Sequence, residues 1–264
     1  MSASRLLWLC ILAASIPVAG PALAVEAEAP RSELVLAMDY VVPPFMPGAK
    51  VRTPETVDTA LADAVAERLG AELKAVDGAR GKGRQADGPR RLALTRLDEG
   101  ERPRSGTHIV PTGYRAGPMA IMRSDTGIRR WEDLRGRTVC LSEGGRYVGR
   151  IAADYGAREI IFPAPADALL ALRTGGCDAT VHDDVMLNEL LKFPEWKKFS
   201  ARLPTGPRSR LVFMVPEGDA ATAAVLRTMA HEWKAHGTLR KLHQERVRDI
   251  AFEVYLDQNV PDCH

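Results

Sequence analysis

The sequence predicts an α/β protein with two lobes. Two observations support this fold class. A strand–helix–strand pattern occurs near residue 34 and again after residue 137, and its strands are nearly continuous apolar runs, as expected for strands covered on both faces. The chain has 264 residues, which is enough to bury two cores.

Residues 1–24 are predicted to be a secretory signal peptide. Arg5 precedes an apolar run from Leu6 to Val18, and Ala22-Leu23-Ala24 supplies the small residues that precede cleavage. We therefore expect an exported, soluble protein. The chain has 36 Lys and Arg against 34 Asp and Glu, a net charge of +2. This balance argues against nucleic acid or a membrane surface as a partner.

The first strand–helix–strand unit begins with a strand over Leu34–Met38. A helix is predicted to open at Thr53-Pro54-Glu55, where a cap residue precedes a proline, and to end at Gly70. A second strand is predicted over Glu72–Val76. The basic, glycine-rich stretch from Gly78 to Arg91 is predicted to be a surface loop.

The second unit repeats this order in the segments "RTVCLS", "RYVGRIAADYG", "REIIFPAP", "ADALLALRTGG" and "CDATVHDD". Two apolar strands, Pro118–Arg123 and Arg210–Val215, are expected to cross between the lobes. A helical tail is predicted from Asp219 to Glu245, with an interruption at Gly237.

Five motifs in this order resemble those of the bacterial extracellular solute-binding proteins of the polar-amino-acid type, the periplasmic receptors of ABC importers. The motifs are "MDYVVPPF", "TALADAVAERLGAEL", "WEDLRGRTVCLSEGG", "ADALLALRTGGCDATVHDD" and "AHGTLRKLHQE". The resemblance implies the two-lobe periplasmic-binding-protein fold of type II, with a ligand cleft that closes by hinge bending. It places residues 25–117 and 214–264 in the first lobe and 118–213 in the second, with hinge strands at the ends of the second.

By this resemblance Asp183 binds the ammonium group of the ligand. It follows a predicted parallel strand, and open α/β sheets bind ligands at the carboxyl ends of their strands. A charge-assisted hydrogen bond there would contribute about 1.5–3 kcal/mol. The alternative role is a helix N-cap, which stays open for Asp183 and is favoured for Asp184.

The resemblance assigns the ligand's carboxylate to the turn after Ser142, at Gly144 and Gly145. Free N–H groups at a helix start bind anions without any side chain. The family usually has small hydroxyl residues after the glycine, whereas this chain has Gly145 and Arg146. We therefore expect Arg146 to supplement carboxylate binding.

The first lobe departs further from the family. Its carboxylate-clamping arginine corresponds to Arg102 only with two extra residues, and Arg96 is out of register; of the two, Arg102 is preferred. Val42 replaces an expected aromatic residue, which leaves Tyr40 or Phe45 as the wall of the site.

The family topology places the strands of Cys140 and Cys177 side by side, which implies a disulfide between them; two buried thiols are the alternative. Cys263 would be left over. No catalytic residue, metal ligand set or cofactor is predicted, because the sequence lacks a nucleophile elbow, paired metal histidines and a P-loop.

The expected function is capture of a small amino-acid-like or carboxylate-bearing solute by a monomeric periplasmic protein, which delivers it to an ABC permease. Two alternatives stay open. The shrunken first lobe is consistent with a periplasmic interaction protein that has lost transport, and some relatives of this fold are dehydratases.

Overall fold

The computed structural model describes residues 32–44, 46–78, 90–101 and 105–258. The predicted signal peptide, Phe45, Arg102, Cys263 and most of the predicted basic loop lie outside these residues. Arg90 and Arg91 already belong to a strand, so the loop prediction extended too far at its end.

The strands are β1 Ser32–Met38, β2 Ala71–Asp77, β3 Arg90–Asp98, β4 Thr107–Ala116, β5 Pro118–Met122, β6 Thr138–Ser142, β7 Arg158–Phe162, β8 Ala179–Asp183, β9 Ala201–Arg202 and β10 Ser209–Pro216. The helices are α1 Asp58–Leu69, α2 Arg150–Tyr155, α3 Pro165–Arg173, α4 Asp184–Leu190, α5 Ala220–His236 and α6 Thr238–Asp257. Short 3-10 helices span Trp131–Leu134 and Pro194–Phe199. No helix in the described ranges combines the length and apolar character needed to cross a membrane.

The first sheet has the strand order β2-β1-β3-β10-β4. β1 pairs in parallel with β2 and β3, while β10 is antiparallel to β3 and β4. α1 ends at Gly70, whose left-handed backbone (φ 61°) directs its N–H to the carbonyls of Ala66 and Glu67. The predicted helix stop is confirmed. α1 and α5 supply Leu61, Val65, Leu226 and Trp233 to the core of this lobe.

The second sheet has the order β7-β6-β8-β5-β9. β6 pairs in parallel with β7 and β8, while β5 is antiparallel to β8 and β9. The predicted sequence of strands and helices in this unit is therefore confirmed. Parallel β6 and β8 end at the same edge, so Ser142 and Asp183 are brought to one side of the sheet.

The chain passes between the sheets at Gly117 and again at residues 203–208. The expectation that Pro118–Arg123 and Arg210–Val215 cross between lobes is wrong, because β5 and β10 each stay within one sheet. The two connections touch each other. A Cβ at Gly117 would lie 2.7 Å from the carbonyl oxygen of Gly206, and the N–H of Gly206 donates to Pro118 O. A side chain at Gly117 would therefore push the two connections apart.

The two C-terminal helices differ in their packing. α5 packs on β4 and β10, as the resemblance implies. α6 contacts both lobes: Leu239 and Leu242 near its start pack against the core of the first lobe, while Val247, Ile250 and Val254 share a core with residues of α3 and α4. The assignment of residues 214–264 to the first lobe therefore fits α5 and the start of α6, whereas the rest of α6 packs on the second lobe. β10 also begins before residue 214, at Ser209.

Candidate ligand-binding cleft

A cleft of about 610 Å³ lies where the strand ends of the two sheets face each other. Its first-lobe wall comes from the segments after β1, before α1 and at the end of β3, and its second-lobe wall from the turn after β6 and the end of β8. The polar residues that line it are Asp39, Tyr40, Glu55, Thr56, Asp58, Thr95, Arg96, Glu143, Arg146 and Asp183.

Asp183 ends β8 at the base of the cleft and is buried. Its Oδ2 accepts from Tyr114 Oη at 2.7 Å and lies 2.8 Å from Arg96 Nη2. Its Oδ1 accepts from Tyr147 Oη at 2.6 Å. Burial acts to raise the pKa of Asp183, but the charge of Arg96 and these hydrogen bonds outweigh it and hold the pKa below its usual range.

Neither aspartate caps α4 through its side chain. Asp183 occupies the N-cap position without a capping side-chain hydrogen bond. Asp184 is the first helical residue, and the N-cap role favoured for it is wrong. Its Oδ1 accepts from the N–H of Gly117 at 3.1 Å and its Oδ2 pairs with Arg208, so it joins the two connections between the sheets.

Arg96 is the first-lobe arginine that reaches the cleft among the described residues. Arg96 is 7% exposed, and the central carbon of its guanidinium lies 4.8 Å from the centre of the Tyr114 ring. Burial acts to lower the pKa of Arg96, yet the carboxylate of Asp183 raises it above its ordinary value. Sequence reasoning preferred Arg102. The alternation of side chains along β3 could have identified Arg96, because it shares one buried face of the strand with Leu92 and Leu94.

The turn after β6, which contains Gly144 and Gly145, lies in close contact with the first lobe. Gly144 has φ 74°, and a Cβ there would lie 2.4 Å from Cδ1 of Tyr40. The N–H of Gly145 donates to Ser142 O at 3.0 Å. α2 begins only at Arg150, so the expectation that a helix starts directly at this turn is wrong. Tyr40 packs on Gly144 and lines the cleft.

Arg146 and Ser142 both contact acids of the first lobe. Arg146 Nη2 donates to Asp98 Oδ1 at 2.5 Å. Ser142 Oγ donates to the carboxylate of Glu55. The same Glu55 oxygen lies 2.9 Å from His182 Nδ1, and His182 is fully buried. Sequence reasoning missed Glu55, which precedes α1 and resembled an ordinary first-turn acid.

Three buried polar atoms in the first-lobe wall have no hydrogen-bond partner among the described residues: Thr56 Oγ1, Asp58 Oδ1 and Arg96 Nη1. Asp58 is 1% exposed, and burial raises its pKa to about 6, with Arg96 opposing and Asp39 and Asp183 adding to the rise. Sequence reasoning missed Thr56 and Asp58, because an acid just before an apolar helix usually signals only the helix start.

The predicted disulfide between Cys140 and Cys177 is confirmed, with 5.9 Å between their Cα atoms. It lies in the second lobe, packed with Ala168. The part of the chain that the structure describes contains no cluster of three His, Cys, Asp or Glu side chains able to hold a metal ion.

Two α/β lobes, two adjacent connections and a polar cleft at the strand ends define the two-lobe periplasmic-binding-protein fold of type II. Comparison with solved structures confirms this fold. The P235GK mutant of ArgBP from T. maritima matches with a TM-score of 0.54 and 21% identity, over 82% of this chain and 96% of that chain. An ancestral cationic amino acid solute-binding protein matches with a TM-score of 0.54 and 18% identity, over 82% of this chain and 95% of that chain.

The sequence itself is similar to a probable amino-acid ABC transporter-binding protein of Haemophilus influenzae. The two are 23% identical over 145 residues, which is 55% of this chain and 56% of the relative. The chain therefore matches about half the length of that curated relative. No family model matches the sequence. The resemblance drawn from the five motifs is confirmed as a similarity to the amino-acid solute-binding proteins of ABC importers.

Proposed function

We propose that the protein is a periplasmic solute-binding protein that captures an amino acid in the cleft and delivers it to an ABC permease. The observation that carries this proposal is a cleft of about 610 Å³ whose walls come from both lobes. Small-molecule sites are typically about 300–1,000 Å³ and contain a few convergent polar groups. The sequence relative is a binding protein of an amino-acid ABC transporter by its description, which supports the same role.

Two ion pairs span the cleft and stabilise its closed form. Arg96 of the first lobe meets Asp183 of the second at 2.8 Å, and Asp98 of the first lobe meets Arg146 of the second at 2.5 Å. Each pair breaks when the lobes separate and forms again when they approach. A solute that fills the cleft would add its contacts to these pairs and shift the population toward the closed form.

The charge of the cleft favours a cationic amino acid over an acidic one. Its lining includes five carboxylates, Asp39, Glu55, Asp58, Glu143 and Asp183, against two arginines, Arg96 and Arg146. A solute that adds another carboxylate would face like charge in a partly desolvated site. Two structural neighbours are described as ArgBP and as a cationic amino acid solute-binding protein, which supports this preference.

The proposed location is the periplasm. It depends on the predicted signal peptide in residues 1–24 and on the similarity to a transporter-binding protein. The permease partner depends on the same similarity. The similar proteins are described as transport binding proteins, and no contact in the described cleft favours the dehydratase alternative.

The closed arrangement also favours one second candidate. Because the Arg96–Asp183 and Asp98–Arg146 pairs already span the cleft, the lobes have contacts that hold them together without a solute. A protein that stays closed in this way would act as a periplasmic interaction protein rather than as a receptor.

A thermal-shift screen separates these functions. The signal-free protein is tested against the twenty L-amino acids and a set of dicarboxylates. A ligand at a hundred times its dissociation constant adds about 2.7 kcal/mol to folding stability, so a cationic amino acid should raise the melting temperature by several degrees. A flat response to every solute contradicts the receptor and supports the interaction protein, and turnover of any screened acid would establish an enzyme.

A further inference from the structure

We propose that the amino group of the solute binds Asp58 and Thr56 on the first-lobe wall, beside Arg96, and that Asp183 acts as a latch between the lobes rather than as the ammonium ligand. This assignment rests on the proposed function and specifies where in the cleft the amino acid is recognised. It adds two residues, Asp58 and Thr56, and gives Asp183 a different task from the one that the sequence resemblance implied.

Both oxygens of Asp183 already have hydrogen-bond donors from the protein. Both of its oxygens accept hydrogen bonds, from Tyr147 at 2.6 Å on one side and from Tyr114 at 2.7 Å and Arg96 at 2.8 Å on the other. A carboxylate has about four lone-pair sites, so at most one is left for an incoming ammonium unless one of these donors is displaced. Displacing Arg96 would leave a charge that is 7% exposed without its partner, which is among the most costly changes inside a protein.

The first-lobe wall, by contrast, holds polar atoms with unused hydrogen-bonding capacity. Thr56, Asp58 and Arg96 are only 8%, 1% and 7% exposed, and all three residues line the cleft. Within the described part of the chain, no group pairs with Thr56 Oγ1, Asp58 Oδ1 or Arg96 Nη1. Buried polar atoms normally have partners, because leaving one unpaired costs about 1–3 kcal/mol. A solute in the cleft can supply them.

Asp58 has no structural task in the contacts of the described residues. It is the first residue of α1, but Val57 holds the cap position and no side-chain capping hydrogen bond is formed. Asp58 also forms no ion pair within 4.0 Å of a basic group in the described ranges, although the charge of Arg96 acts on it. A carboxylate that is buried without a cap or an ion pair is costly to keep, and this cost is offset if it binds a ligand.

The chemistry of the three atoms matches one end of an amino acid. A carboxylate and a hydroxyl accept from an ammonium group, which has three donors, while a guanidinium N–H donates to a carboxylate. Arg96 can donate to the carboxylate of the solute through Nη1, which is unpaired among the described residues, while Nη2 stays paired with Asp183. The solute would thus supply partners for three atoms that the first-lobe wall presents to the cleft.

The test compares L-arginine with 5-guanidinopentanoate, which is the same molecule without its amino group. Calorimetry gives the affinity of each for the wild type and for Asp58→Asn. We expect Asp58→Asn to weaken L-arginine at least tenfold and to leave 5-guanidinopentanoate within twofold. Asp63→Asn, an exposed acid on the same helix, is the control and should change neither affinity. If the screen selects another amino acid, that amino acid and its deamino acid form the pair.

Thr56→Val provides a second variant of nearly the same shape if Asp58→Asn folds poorly. It should weaken L-arginine about threefold or more and leave the deamino analogue unchanged. Equal losses for both compounds, or no loss for either, would overturn the assignment while leaving the receptor function intact. A wild type that binds none of the screened amino acids would overturn the proposed function, and the assignment with it.

Discussion

The two walls of the cleft differ in how their polar groups are satisfied. On the second-lobe wall, Asp183 has three donors, and His182 has Glu55 and Thr180 as partners at 2.9 Å each. On the first-lobe wall, Asp58 and Thr56 keep atoms without hydrogen-bond partners among the described residues. This difference teaches that the second lobe is built to bind the first, whereas the first lobe has capacity left for a solute.

Replacing Arg96 by alanine should have the largest effect, because Arg96 serves both walls. The change removes the charge opposite Asp183 and the proposed carboxylate donor. Breaking a buried ion pair by removing one partner typically costs about 3–5 kcal/mol. We expect a loss of this size in urea unfolding and at least a hundredfold loss of solute affinity in calorimetry. Arg91→Ala, an exposed position on the same strand, is the control and should leave both quantities unchanged.

Removing the disulfide should lower stability without altering recognition. The Cys140–Cys177 bond closes an interval of 37 residues in the second lobe. In the chain-entropy account a loop of this length contributes about 3–4 kcal/mol. The double variant Cys140→Ser, Cys177→Ser should unfold at lower urea concentration while its solute affinity stays within threefold. A large affinity loss in the folded variant would contradict a recognition wall confined to the first lobe.

Asp183→Asn sharpens the comparison by weakening the latch while keeping the shape of the side chain. The amide has one acceptor oxygen, so it can keep the hydrogen bond from only one of Tyr114 and Tyr147, and it no longer offers a charge to Arg96. We expect a stability loss of about 1–3 kcal/mol and a more open solute-free protein, seen as a larger radius of gyration in small-angle X-ray scattering. An unchanged radius of gyration would argue against the latch.

The smallest expected effect is a dependence of solute affinity on pH, caused by the ionisation of Asp58. The pKa of its carboxyl is raised to about 6, with Arg96, Arg246, Asp39 and Asp183 as the charged groups that act on it. An ammonium binds the ionised form, so affinity should rise as pH increases through 6 and then level off. The gain between pH 5 and pH 7.5 should be about tenfold, since each pH unit below the pKa costs about a factor of ten. Asp58→Asn should flatten the profile; a wild-type profile that is already flat would contradict the role of Asp58.

The fold could be predicted from the sequence because its signals are local. Apolar runs defined the strands, and Gly70 and Gly237 marked helix ends through left-handed backbone that glycine adopts readily. The packing of α6 could not be predicted in this way. An apolar helix face shows that a helix is buried but not on which lobe, and α6 contacts α5 as well as α3 and α4.

The cleft was predicted in part. The position of Asp183 at the end of a parallel strand placed it in the cleft, but its three donors come from segments distant in sequence, and one of them, Arg96, was judged out of register. Asp58 and Thr56 were missed because their significance is the lack of a partner, a property that only the arrangement in space reveals. A buried polar residue can be found from the sequence only when it interrupts an apolar pattern, as Arg96 does on the buried face of β3.

A crystal structure of the complex with L-arginine, or with the amino acid that the screen selects, tests the central claim most directly. The account predicts that the α-nitrogen of the solute lies within hydrogen-bond distance, about 2.7–3.2 Å, of Asp58 Oδ1, with the Arg96–Asp183 pair intact. An α-nitrogen bound to Asp183, with Arg96 displaced from it, would contradict the account.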